Sequence, residues 1–258
     1  MLWKSVESGV VVSNGNPDAK LPCCEMLSMS EIHGYAQARQ RKRDRWVFGG
    51  VIVVCSLLAI STYLFVYGAT YLACWNYQPQ EGDLIFQSLP LSPLVKAIEG
   101  ATESPFSHCG IITHQDGRWV VIEAYHGVET TPLREFIFRG RQQGFAVYRL
   151  NDNWQPKIPG MIQMAMRYLG RPYDVRYRWD DEKIYCSELI YKAFRDATGG
   201  EQLGTMVRFG DLNWRPYEST VRHFEGGPVP VEREMITPKD LAKAEQLQLV
   251  FSHQILNP

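Results

Sequence analysis

The chain has 258 residues, 45% of them hydrophobic, with a formal net charge of -1 at pH 7, which allows one or two domains with an ample core and excludes disorder throughout. Lys and Arg are scattered through the second half, so no broad basic face tracks phosphates and nucleic acid is not an expected partner. The six cysteines, Cys23, Cys24, Cys55, Cys74, Cys109 and Cys186, follow neither zinc-site nor disulfide-framework spacing, so no metal is expected.

Residues 1–45 read as a polar, mobile cytoplasmic tail, with a turn at Asn14-Gly15-Asn16-Pro17 and no sustained period. From Trp46 to Gln80 no residue is charged. Residues 46–75 therefore read as a transmembrane helix, since about 20 helical residues at ~1.5 Å each cross a bilayer core of roughly 30 Å. A soluble helix of this length would carry a charged face. A cleaved signal peptide has an apolar region of about 7–15 residues after a short basic start, whereas here 45 residues come first. Cleavage near Cys74, in Tyr71-Leu72-Ala73-Cys74, would make a lipoprotein instead; the retained anchor is preferred. Arg39, Arg41, Lys42, Arg43 and Arg45 crowd one flank, while Glu81 and Asp83 open the other. Positive residues stay inside, which predicts a single-pass inner (cell) membrane protein with a cytoplasmic N-terminus and residues 80–258 periplasmic or extracellular. The lipid bilayer is then one partner.

In residues 80–258, Asp83 to Gln87 reads as a short strand, and Ser92-Pro93 opens a helix with a capping serine. Ser107 to Thr113 and Arg118 to Ala124 flank Asp116-Gly117, a strong hairpin signal because both turn residues need positive φ. Phe145 to Leu150 adds a strand, and Ile158 to Leu169 a helix stopped by Gly170 and Pro172. Cys186 to Thr198 is an amphipathic helix ended by Gly199-Gly200, and Thr237 to Asp240 forms a capping box with Ile236 and Leu241 as its staple. Short antiparallel strands with several helices predict an α+β domain. Residues 201–235 are expected to wall a cleft through Trp214, Tyr217 and Phe224, or to pack those rings in the core.

The hairpin fixes which side chains share a face. With Asp116 and Gly117 as the loop, Gln115 pairs with Arg118, Gly110 with Glu123 and His108 with Tyr125. His108, Gly110, Glu123 and Tyr125 then share one face, and Glu123 is the diagonal neighbour of His108 at ~7–8 Å, a gap a glutamate bridges. A carboxylate there fixes the imidazole tautomer and stabilises its charged form. Cys109 projects to the opposite face and is set aside as core packing. His126 is a weaker rival for the third position, on the other face. Cys186 opens a helix, where unpaired N–H groups and the macrodipole favour a thiolate and offer an oxyanion site. Taken singly, each residue is more often structural; the combination raises the catalytic reading.

Gly82-Asp83-Leu84-Ile85-Phe86, Ser107-His108-Cys109-Gly110-Ile111, Ile122-Glu123-Ala124, Thr131-Pro132-Leu133, Gly170-Arg171-Pro172-Tyr173-Asp174 and Tyr185-Cys186-Ser187-Glu188-Leu189-Ile190 occur in this order. The ordered set resembles the YiiX/YebB-like permuted papain-fold enzymes, relatives of the NlpC-type cell-wall amidases and of lecithin retinol acyltransferase, over roughly residues 80–245. The resemblance implies a circularly permuted papain-like (NlpC-like) domain, with a small antiparallel sheet packed on helices. It implies Cys186 as nucleophile, His108 as general base and then acid, and Glu123 as the orienting carboxylate, with no cofactor. Tyr173, Tyr185 and Ser187 are candidates for substrate binding or the oxyanion site. The expected reaction is hydrolysis of a peptide or cell-wall-type amide; acyl transfer or lipid or thioester cleavage is the alternative, and a non-catalytic binding module the second.

Overall fold

The computed structural model describes residues 28–255, and the chain divides into two compact units, residues up to Thr62 and residues from Tyr63 onward. The described part of the first unit belongs to helix α1 (Met29–Asn76), which is long and apolar enough to cross a membrane, with none of its most apolar stretch buried against protein. The helix starts at Met29, so the last third of the expected tail is helical rather than irregular. Arg, Ala and Gln are the commonest residues from Met29 to Arg45; these are good helix formers, and they extend a helix whose nucleation is already met by the apolar run. The rest of that tail, with Cys23 and Cys24, lies outside the described residues.

The second unit continues through strand β1 (Leu84–Gln87), helix α2 (Pro93–Thr102), strands β2 (His108–Gln115), β3 (Arg118–Ala124) and β4 (Val128–Pro132), helix α3 (Leu133–Arg139), strand β5 (Phe145–Leu150) and helices α4 (Ile158–Met166) and α5 (Cys186–Thr198). It closes with β6 (Val207–Arg208), α6 (Glu218–Glu225), β7 (Glu234–Met235), α7 (Pro238–Ala242) and β8 (Leu247–His253). Six strands form one sheet in the order β4-β3-β2-β1-β5-β8, antiparallel throughout, and β6 pairs with β7 apart from it.

Alternation along the strands gives the sheet two buried faces. Leu84, Phe86, Cys109 and Ile111 pack with Met161 and Ala165 of α4 and Leu189, Ile190 and Phe194 of α5. Ile85, Ile112 and Val121 face the other way, against Leu133, Phe136 and Ile137 of α3 and Ala73 and Tyr77. Each fully buried side chain of this kind contributes about 1.5–3 kcal/mol. Among the polar residues that are also buried is Asp83, wholly enclosed at the head of β1. It is held by a two-pronged Arg149 contact at 2.7 and 2.9 Å and by the Tyr77 hydroxyl, which donates at 2.6 Å.

The local signals produce these elements as the chain chemistry requires. Ser92 Oγ accepts from the Val95 N–H at 3.1 Å and caps α2. Asp116 and Gly117 take φ of 49° and 76°, the turn that matches strand twist. Gly199, at φ 81°, ends α5.

Candidate active site

The hairpin register is the expected one from Gln115 opposite Arg118 to Gly110 opposite Glu123. Beyond it, His108 and Tyr125 stay neighbours, with ring centroids 5.7 Å apart, although their pairing lies outside the ladder. His108 is thus the first residue of β2, with its ring at the end of the strand. Nε2 of His108 lies 2.5 Å from Oε2 of Glu123, and the Phe136 ring of α3 stacks on the imidazole with centroids 5.5 Å apart.

With Nε2 engaged by the carboxylate, Nδ1 is the nitrogen left for Cys186, and the thiol and the ring interact closely enough to set each other's charge. Burial alone would lower the His108 pKa, but Cys186 and Glu123 overcome it and raise it to about 9. The Glu123 carboxyl is pushed up by burial, and is brought down to about 2 by His108 and by the Arg139 guanidinium, which donates to the same Oε2 at 2.5 Å. Cys186 is held well below the usual thiol range by a bond from the Cys109 thiol and by His108, against the upward push of burial. An anionic sulfur beside a cationic ring is the arrangement that makes a cysteine nucleophilic at neutral pH. Cys186 and His108 are only 2% and 1% exposed.

Cys109 packs in the core as expected and has a further contact there. It does point away from the His108 face, into the core, but that is the face on which α5 packs. Its thiol and backbone therefore meet Cys186, so Cys109 is part of the site's surroundings and not only filling. His126 is exposed, with its backbone turned to Glu129.

Tyr173 and Tyr177 share a 3.1 Å hydroxyl contact, and both feel the Cys186 charge, burial being the main cause that raises their pKa values. The Tyr185 hydroxyl accepts from the Ile236 N–H at 3.2 Å, and the Ser187 hydroxyl donates to the Ile236 carbonyl at 2.9 Å. These two hydroxyls tie the start of α5 to the segment before α7. The Glu188 carboxylate accepts from the Tyr185 N–H at 3.2 Å, closing the first turn. Beside this turn lies an apolar cavity with about 660 Å³ of atom-free space including its mouth, bordered by Ser187, Tyr177, Leu94, Ile98, Phe224 and Met235. Phe224 lines this cavity, which neither Cys186 nor His108 borders; Tyr217 lines a separate depression with Leu91 and Pro93, and Trp214 borders neither.

Three residues escaped the sequence reading. Arg139 ends α3, whose N-cap residue Pro132 offers no side-chain cap to announce the helix. Gln87, opposite His108 in the β1–β2 register, has a wholly buried amide without a partner. Tyr177 holds a left-handed φ of 53° that brings its ring to the cavity. A long-range contact is the only signal for the first, and none of the three lies in a local motif.

The family model of permuted papain-like amidase enzymes, YaeF/YiiX, C92, matches residues 78–251. The chain belongs to this family. The uncharacterized protein YiiX of Escherichia coli K12 is 34% identical over 181 residues, covering 67% of this chain and 87% of that protein. A crystal structure of yiiX from Escherichia coli O157:H7 superposes with a TM-score of 0.65 at 32% identity, covering 69% of this chain and 99% of that one. As a C92-family member the chain is a cysteine hydrolase of the papain-like amidase and peptidase class. The O157:H7 protein is described as a metalloprotein. Among the described residues here, no group of three or more His, Cys, Asp or Glu side chains converges as a metal donor set. The described residues therefore do not fit such a site.

Proposed function

We propose that this C92-family chain is a membrane-anchored amide hydrolase in which Cys186, His108 and Glu123 carry the reaction. The observation that carries the reading is the contact of His108 with both Glu123 and Cys186, which leaves sulfur anionic and the ring cationic. Sγ of Cys186 attacks the carbonyl carbon of a peptide or cell-wall-type amide, and backbone N–H groups at the start of α5 hold the oxyanion. The C–N bond breaks as Nδ1 of His108 gives its proton to the leaving amine, and a thioester remains on Cys186. Water then attacks the thioester while Nδ1 takes a proton back, releasing the carboxylic acid and restoring the thiolate. Glu123 keeps the ring oriented throughout.

Residues 46–75 anchor this domain in the inner membrane, with residues 1–45 in the cytoplasm and residues 80–258 on the outer side; the uncharged run and its basic flank support that orientation. Mass spectrometry of the full-length protein quenched during turnover of peptidoglycan fragments tests the chemistry. An acyl adduct on the peptide holding Cys186, absent from Cys186→Ala along with turnover, is the expected result. Undiminished turnover by Cys186→Ala would refute it.

The apolar cavity beside Ser187 and Tyr177 favours a second reading. A fatty acyl group seated there would present an ester or thioester carbonyl to Cys186, giving lipid cleavage or acyl transfer. Phospholipid vesicles in place of peptidoglycan fragments, read by the mass of the Cys186 adduct, separate the two.

A further inference from the structure

Glu123 is wholly buried, and both of its cationic partners meet the same oxygen: His108 Nε2 and Arg139 Nη2 each lie 2.5 Å from Oε2. The other oxygen, Oε1, is buried without a partner. Arg139 closes α3, where an arginine ordinarily turns to the helix's last carbonyls or to water. Here its side chain is only 18% exposed, and its guanidinium lies 4.0 Å from the Tyr125 ring centroid and 5.3 Å from that of Phe136. The same two rings flank His108. One carboxylate, two cations and two aromatic walls thus form a closed cluster.

We propose that Arg139 is a positioning residue of this site, which divides the Glu123 carboxylate with His108 and so limits how tightly that carboxylate holds the His108 proton. The inference rests on the reading of His108 as the group that gives and takes a proton during turnover. When His108 gives its proton away, a carboxylate with no other partner would be an uncompensated charge in a dry site, which is costly enough to hold the proton in place. Arg139 brings Glu123 a second, separate positive partner on the same oxygen. Glu123 therefore has a counter-ion in both halves of the cycle, and His108 is free to act as an acid.

The groups facing His108 are Glu123 from β3, Cys186 from α5 and Tyr125 past β3, with the Arg139 charge reaching it through Glu123 and the Cys109 thiol touching Cys186. Removing Arg139 thus leaves Glu123 acting on the ring alone.

The test is an NMR titration of the His108 ring in the full-length protein in detergent micelles, in a Cys186→Ala background that removes the thiolate and needs no turnover. Assignment comes from the signal lost in His108→Asn. Arg139→Met is expected to raise the His108 midpoint by about 1 unit or more, while Arg139→Lys leaves it close to that of the parent. In a Glu123→Gln background, Arg139→Met is expected to move it little. Arg139→Gln is read in the same way if the methionine variant fails to fold. An arginine that only packs α3 would leave the midpoint unmoved or let it drop toward that of a free histidine, and either result would overturn the proposal. Since the readout is protonation, it stands apart from the Cys186→Ala turnover test, which decides the proposed function by itself.

Discussion

Glu123 keeps its charge in a fully buried position only because His108 and Arg139 outweigh the burial that pushes its carboxyl up, leaving it at about 2 against an ordinary 4.5. A lowered carboxyl contributes stability above its unfolded value and loses it as pH falls through the folded one, so this contribution fades between 4.5 and about 2. His108 runs the other way: raised to about 9 from 6.5, it contributes fully below 6.5 and loses the contribution as pH rises through about 9. The alkaline fall of kcat/KM should therefore lie near pH 9. Glu123→Gln removes one of the two causes that hold the proton on the ring, so that limb should move toward neutral pH and kcat should drop by about 10²–10⁴-fold. Steady-state pH profiles of the two proteins check both; an unmoved limb contradicts the role given to Glu123. His108 and Glu123 were legible in the sequence because a two-residue turn fixes strand parity. Cys109 packs in the core as expected, but its contact with Cys186 was not legible, because parity tells which face a side chain takes and not what packs on that face. Arg139 was invisible because its partner lies on another element, joined to it only by the packing of α3.

The β2–β3 hairpin is the element that makes the site, and Gly110 is where it is most constrained. A Cβ on Gly110 would stand 2.3 Å from Cγ1 of Val121, 3.0 Å from the Ile122 carbonyl oxygen and 3.3 Å from Cβ of Glu123, its own cross-strand partner. Gly110→Ala should cost about 1–3 kcal/mol by overpacking, and should lower kcat further by displacing Glu123 from His108. A thermal melt paired with activity measured well below the melting range separates the two effects. An unchanged melting temperature with full activity contradicts this account of the hairpin. Elements with end signals were readable: Ser92 before α2, Gly199 after α5, and Asp116-Gly117 in the turn. Helix α3 has no side-chain cap. Strand β8 mixes exposed Leu249 and Val250 with polar neighbours, so it lacks clean alternation and takes its place as the partner of β5.

For the whole molecule, fold class was legible because six short motifs run in the order that resembles the permuted papain-fold enzymes, and the chain belongs to the permuted papain-like C92 family. The extent of α1 was not, since the hydropathy that marks the apolar run stops at the basic flank, whereas backbone helicity continues to Met29. Helix α1 is long and apolar enough to cross a membrane, with no part of its most apolar stretch buried against protein, and the anchor proposed above surrounds that stretch with lipid. The full-length protein should sediment with membranes, resist alkaline carbonate and enter solution only with detergent. Release by carbonate alone contradicts the anchor. All of the chemistry, in turn, depends on the charge of one sulfur atom. The rate of Cys186 alkylation by iodoacetamide, followed across pH in the full-length protein and in His108→Ala, reads that charge directly. The account predicts that wild-type labelling rises through a midpoint well below that of a free thiol, and that the midpoint moves up in His108→Ala. A wild-type midpoint at or above the free-thiol value, unmoved by loss of His108, would contradict it.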